Sequence, residues 1–90
     1  MVSKELEINF KIGIHGRPAA LLVKKAMENK DITILISKDG KTSSAKSMMG
    51  LLSLGIGQGS KITVSAEGKD ESVVLDTICN FITNDLIKES

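Results

Sequence analysis

The stretch GIHGRPAALLVKKAM, Gly13 to Met27, decides the fold, because the periodicity of the chain changes inside it. Ahead of it, apolar residues fall on alternate positions: Leu6, Ile8, Phe10 and Ile12. A period of two predicts a strand with one buried face. After Pro18 the apolar residues are Ala19, Leu22, Val23 and Ala26, the spacing of a helix stripe. Proline suits the first turn of a helix, where its missing N–H costs nothing. A helix is therefore expected to start at residues 16 to 18, with Lys24, Lys25, Glu28 and Lys30 supplying much of its solvated face.

Working outward, "DITILISK" returns to a period of two through Ile32, Ile34 and Ile36. Asp39-Gly40 is a hairpin signal, since a tight turn there needs positive φ. "KTSSA" is then a short polar strand expected at an edge. Ser47 is placed to cap a short helix, "SMMGLLSL", that Gly55 ends. "KITVSAEG" is the last strand, with Ile62, Val64 and Ala66 in phase. Asp70 is expected to cap a final helix whose buried stripe is Val74, Leu75, Ile78, Ile82 and Leu86. The order βα, ββα, βα with one hairpin predicts an α+β fold, an antiparallel sheet covered by helices on one face. No linker, repeat or low-complexity segment divides the chain, so residues 1–90 are expected to form one domain.

Composition narrows the function. Twelve Lys plus Arg against 11 Asp plus Glu give a net charge of +1, which provides no general attraction for nucleic acid or membrane. Aromatic residues are 2% of the chain, too few for the stacking that single-stranded RNA recognition uses. The single cysteine leaves no internal disulfide and suits a reducing cytoplasm. No run is apolar for the roughly 18 residues or more of a membrane span, and no signal peptide precedes the first strand. A cytoplasmic protein without membrane insertion is expected.

The chain's one histidine, one arginine and one proline, His15, Arg17 and Pro18, lie within four residues. A helix starting just after His15 would set the imidazole where unpaired N–H groups and the positive end of the dipole favour an anion. Arg17 adds a permanent charge and a planar fork of donors suited to phosphate oxygens. Imidazoles are largely neutral near pH 7, and a neutral ring nitrogen can attack phosphorus. The flanking glycines let backbone amides approach a bound anion. The same residues are also compatible with a turn that carries no chemistry, since an exposed loop histidine is ordinary.

Two motifs bear on that choice. "GIHGRPAALLV" resembles the phosphorylation-site pattern Gly-(Leu/Ile)-His-X-Arg-Pro-Ala of HPr, the histidine-containing phosphocarrier family of the bacterial sugar phosphotransferase system. "GKTSSAKSMMGLLSLGIGQGSKITVSAEG" resembles that family's second signature, around a regulatory serine. The resemblance covers essentially all 90 residues. It implies an open-faced β-sandwich of four antiparallel strands with three helices on one face, and a carrier rather than an enzyme. It further implies that His15 is phosphorylated on Nδ1 by Enzyme I, which draws on phosphoenolpyruvate, and passes the group to Enzyme IIA domains of sugar permeases. By position, Arg17 contacts the phosphoryl group and Pro18 sets the helix start. Ser47 corresponds to the regulatory serine, which implies HPr kinase/phosphorylase and catabolite control protein A as partners. Gly16, Ala20, Met48, Met49, Leu52 and Leu54 resemble the exposed docking surface, although core packing is the plainer reading of the apolar four, Leu52 in particular. The protein is expected to be a monomer. An HPr-like paralogue with a regulatory role alone is the alternative, with a small ligand- or RNA-binding module behind it.

The chain departs from the family pattern twice, with Gly16 where alanine or threonine is usual and Lys11-Ile12 where many members have a small polar residue. Other signals are discounted. "LGIGQGSK" lacks the Gly-Lys-Ser/Thr of a phosphate loop and runs helix to strand, so it is expected to be only a helix stop and a turn. Cys79 reads as a packed thiol. No zinc ligand set exists, the acids at 67, 70 and 71 read as loop and cap, and no cofactor or metal is expected.

Overall fold

The computed structural model describes residues 1–89. Its elements are β1 (Val2–Glu7), α1 (Gly16–Met27), β2 (Ile32–Lys38), β3 (Lys41–Ser44), α2 (Met48–Ser53), β4 (Lys61–Gly68) and α3 (Glu71–Asn80). A π-helical turn (Phe81–Asp85) and a 3-10 turn (Leu86–Glu89) follow α3. The four strands form one antiparallel sheet in the order β1-β4-β2-β3, with the three helices on one face. β4 lies between β1 and β2, with Val64 opposite both Lys4 and Ile36. The polar strand β3 holds an edge, where charged and hydroxyl side chains discourage further pairing.

Alternation explains the core. Ile32, Ile34 and Ile36 of β2 and Ile62, Val64 and Ala66 of β4 are buried on the covered face. They meet Ala19, Leu22 and Ala26 of α1, Leu51 of α2, and Leu75 and Ile78 of α3. The β2–β3 hairpin turns at Asp39 and Gly40 with φ of 51° and 82°, the left-handed pair that matches strand twist.

Three expectations need correction. The first strand stops at Glu7, while the alternation was read through Ile12. Ile8 and Phe10 are buried without belonging to it, and Ile12 is 45% exposed. The cause is a turn closed by Gly13 N–H on Phe10 O at 3.2 Å, which reverses the chain and throws Ile12 outward. Second, Asp70 precedes α3 but its carboxylate caps nothing. Its φ of 58° turns the side chain away from the first-turn amides. A short polar residue tolerates this left-handed conformation in a tight connection. Third, Val74 is only partly buried, and the stripe leaves ideal α geometry. Ile78, Ile82 and Leu86 recur every four residues, and four residues overshoot a full turn by about 40°. The wider π turn takes up that drift, with Leu86 N–H bonding to Phe81 O, so Ile82 and Leu86 stay buried.

Candidate functional site

The site begins with a loop held from behind. Ile8 N–H donates to Ser60 O at 2.8 Å, Gly59 N–H to Ile8 O at 2.6 Å, and Ile14 N–H to Ile56 O at 2.9 Å. Gly57 N–H closes the opposing turn on Ser60 Oγ at 3.0 Å. Ile14 and Ile56 are both fully buried, so the segment before α1 is pinned by its side chain as well as by its backbone. Gly13, at φ +69°, lies flat against the Ile56 carbonyl and 2.7 Å, measured from an ideal Cβ position, from Gly57 Cα. The glycine-rich run 55–60, read from sequence as only a stop and a turn, is thus the anvil for the histidine loop. The signal in the sequence was a pair of small residues, Gly13 and Gly57, where two backbones approach closely.

His15 is the N-cap residue of α1, with extended backbone (φ −135°, ψ 160°) and no side-chain capping bond. Its imidazole is partly exposed and not committed to the helix it precedes. Gly16 follows at φ +55° with nothing within 4 Å of a Cβ position. Arg17 is exposed, Pro18 and Ala19 are buried, and Ala20 faces solvent. Pro18 sits in the first turn, where N–H groups lack intrahelical acceptors. No carboxylate stands in that turn, and Lys24 and Lys25 occupy the last. The first turn of α1 thus contributes no carboxylate of its own to oppose the positive end of the dipole, and the opposite end is complemented by cations.

α2 packs beside α1. Ser47 is its N-cap, with Oγ accepting from Gly50 N–H at 3.1 Å, and it is exposed. Met49 is 83% exposed and Leu52 40%, while Leu54 is 7% exposed and Met48 is partly buried against the core. One assignment changes accordingly. Leu54 is a core residue and offers no docking surface, because it is the last residue before the Gly55 stop and points inward with Leu51. Leu52, assigned to the docking surface although core packing is its plainer reading, is exposed.

Lys38 and Lys46 carry structural roles that no periodicity signals. Lys38 Nζ donates to Gly55 O at 2.9 Å and Leu54 O at 3.4 Å, closing the end of α2. Lys46 Nζ donates to Asn29 O at 2.7 Å and Ile32 O at 2.8 Å. Burial pushes the Cys79 thiol up from its ordinary value, Lys4 lowers it by less, and Asp76 adds a smaller raising influence. Among the described residues, no group of three or more His, Cys, Asp or Glu side chains could hold a metal. No helix among them is long and apolar enough to cross a membrane.

Comparison with known proteins bears on the loop and helices together. The chain matches, over residues 2–84, the family profile described as "PTS HPr component phosphorylation site". The chain belongs to the PTS-HPr family. It is similar to the HPr-like protein Crh of Halalkalibacterium halodurans, 48% identical over 82 residues that cover 91% of this chain and 96% of that protein. It is also similar to the phosphocarrier protein HPr of Buchnera aphidicola, 42% identical over 83 residues covering 92% and 96%. Among solved structures, HPr of Thermoanaerobacter tengcongensis superposes with a TM-score of 0.90 at 39% identity, covering 100% of this chain and 99% of that one. Crh of Bacillus subtilis, described as a dimer with a swapped domain, gives a TM-score of 0.73 at 36% identity, covering 94% and 97%. The open-faced HPr sandwich expected from the two motifs is therefore the fold. HPr-family relatives include both a phosphocarrier and HPr-like Crh proteins.

Proposed function

We propose that this member of the HPr family is a phosphocarrier, accepting a phosphoryl group on His15 from Enzyme I and passing it to Enzyme IIA domains. The observation that carries this reading is the state of His15 itself. Its partly exposed imidazole precedes a helix whose first turn holds Arg17 and no carboxylate. In the step, the bond between phosphorus and the donor group of phosphorylated Enzyme I breaks as the lone pair of His15 Nδ1 forms a new P–N bond, and the electron pair of the broken bond stays with Enzyme I. The phosphoryl oxygens then lie toward the α1 amides and the Arg17 guanidinium, which favour the dianion. Nothing in this transfer calls for a metal or nucleotide, because the donor arrives already activated. Gly16, Ala20, Met49 and Leu52 are exposed around these elements and form the docking surface in this reading, with Met48 at its edge. A partly exposed imidazole beside a helix start with no carboxylate in its first turn supports the carrier reading over a role at Ser47 alone.

The test is incubation with Enzyme I and labelled phosphoenolpyruvate, followed by a chase into an Enzyme IIA. The expected label is acid-labile, because protonating the imidazole weakens the P–N bond, and it is absent from His15→Ala. Label that persists in that variant, or no label on the wild type, overturns the proposal.

A second role at Ser47 is favoured by its exposed hydroxyl at the start of α2 and by similarity to Crh proteins, one described as a catabolite repression protein. We read Ser47 as the substrate of an HPr kinase/phosphorylase, with catabolite control protein A as the partner of the phosphorylated form. A phosphate brings about −1.5 to −2 charges to the positive end of α2, which the helix tolerates. It opposes docking through Met49 and Leu52, because an apolar or acidic partner would have to desolvate it. A regulatory role alone is the outcome if kinase labels Ser47 and Enzyme I does not label His15. The carrier is read as a cytoplasmic monomer, and light scattering on a sizing column distinguishes it from a swapped dimer.

A further inference from the structure

The junction between β3 and α2 is fixed residue by residue. Buried Ala45 donates its N–H to Ile34 O at 2.9 Å, and Ser47 N–H donates to Ser44 O at 3.1 Å. Lys46 N–H donates to Ser44 Oγ at 3.1 Å. These bonds settle the backbone path but not where α2 sits over the sheet. With six residues, α2 is far too short to be stable by its own hydrogen bonds. Its place must come from anchors. Gly50 supplies one by lying directly on Ser43, where any Cβ would meet the Ser43 hydroxyl.

The Lys46 side chain supplies another. Its ammonium reaches back across the fold to Asn29 O at 2.7 Å, Ile32 O at 2.8 Å and Lys30 O at 3.4 Å. An ammonium has three donors and no acceptor, so these three carbonyls use it completely. Two belong to the turn between α1 and β2, just past the negative end of the α1 dipole, and the third is the carbonyl of Ile32, the first residue of β2. The side chain is partly buried, and so are its contacts with Asn29 O and Ile32 O, while the one with Lys30 O is exposed.

We infer that Lys46 is a positioning residue for Ser47. Its ammonium ties the start of α2 to the α1–β2 turn and holds the Ser47 hydroxyl in its capping geometry. The inference rests on the reading of Ser47 as a phosphorylation site. Replacing the ammonium by an apolar isostere leaves three carbonyls without a donor and releases the junction. Only a fraction of molecules then presents Ser47 in the geometry a kinase binds, and apparent affinity falls by that fraction. The loss appears in KM and spares kcat. Transfer at His15, at the other end of α1, is unaffected.

The test compares wild type, Lys46→Met and Lys46→Arg. Amide hydrogen exchange, which needs no partner, reads the clamp through Gly50 N–H, bonded to Ser47 Oγ, and Leu51 N–H, bonded to Ser47 O at 3.0 Å. In Lys46→Met these two amides exchange about tenfold faster, as expected for loss of a charged hydrogen bond, while amides of β2 and β4 keep their protection. Lys46→Arg recovers part of it, since a planar fork keeps the charge but fits three convergent carbonyls poorly. Unchanged exchange in Lys46→Met, or uniform acceleration at all amides, overturns the inference. With HPr kinase and ATP, Lys46→Met raises KM for the protein roughly three- to tenfold at constant kcat, and an unchanged KM refutes the positioning role. A wild type that takes no phosphate from the kinase refutes the reading of Ser47 instead, and Lys46's role there falls with it whatever the exchange shows.

Discussion

Replacing Gly13 by alanine tests whether the histidine loop is built on the backbone of residues 56 and 57. Two costs add. Gly13 holds φ +69°, and an L-residue in that left-handed region costs about 1–2 kcal/mol. A Cβ there would also overlap the Ile56 carbonyl oxygen and lie 2.7 Å from Gly57 Cα. Both neighbours are backbone and cannot rotate aside. Relief requires moving residues 56–57, which stretches the 2.9 Å bond from Ile14 N–H to Ile56 O, worth about 0.5–1.5 kcal/mol. It also disturbs Ile14 and Ile56, both fully buried. The sum is about 3 kcal/mol. At about 4–8 °C per kcal/mol for a domain of this size, Tm falls by roughly 12–24 °C. Gly16→Ala is the control, because its φ of +55° carries a backbone cost with no neighbour within 4 Å. Its loss is about 1 kcal/mol. Urea denaturation followed by far-UV circular dichroism, compared at equal m-value, separates the two. If Gly13→Ala costs no more than Gly16→Ala, the contact between the loops carries no weight and the account of the site's foundation is wrong.

Three further outcomes follow from other parts of the molecule. Ser47→Ala removes the cap on Gly50 N–H and lowers stability by about 1 kcal/mol, read by the same urea curves, while Ser47→Asp keeps a capping oxygen and the wild-type melting temperature, read by a thermal scan. Arg17→Glu, at an exposed position, changes stability by no more than about 0.5 kcal/mol yet slows transfer from Enzyme I sharply, because an anion replaces a cation beside the phosphoryl group. Unchanged transfer kinetics would show Arg17 to be uninvolved. Cys79 is 1% exposed, so a disulfide reagent reacts with it only as the protein unfolds. Its thiol is raised by burial, so its contribution to stability is full below the ordinary value of 9.0 and is lost as pH rises through the folded value. Cys79→Ala should flatten the alkaline limb of the stability profile, and an unchanged slope there would count against the assignment.

The sequence exposed those features that depend on periodicity and on local chemistry. The change of period at Pro18 located α1, Asp39-Gly40 located the hairpin, and Ser47 and Gly55 bounded α2. His15, Arg17 and Pro18 stood out because the chain has one of each. Features set by tertiary approach were hidden. The outward turn of Ile12 depends on a bond between Gly13 and Phe10, and nothing in an alternating pattern announces where a strand stops pairing. Which face of the six-residue α2 meets the core, with Leu51 and Leu54 buried and Leu52 exposed, is a matter of tertiary packing that so short a segment does not declare. A lysine that binds carbonyls has the same letter as one that faces water, so nothing in the sequence sets Lys38 and Lys46 apart from the other lysines.

The strand order also has a consequence in time. β2 and β3 are joined by a two-residue turn and can pair as soon as they exist, but β1 has no sheet partner until β4 is made, at residues 61–68. Pairing between segments so distant in sequence is slow, because loop closure precedes any reward from contact. The backing of the histidine loop, residues 56–60, comes just before that same strand. An emerging chain therefore displays His15 long before the loop that carries it is backed. The loop takes its final form only in the step that inserts the central strand and closes the sheet, so on the carrier reading proposed above a half-made molecule offers a partner no finished docking site.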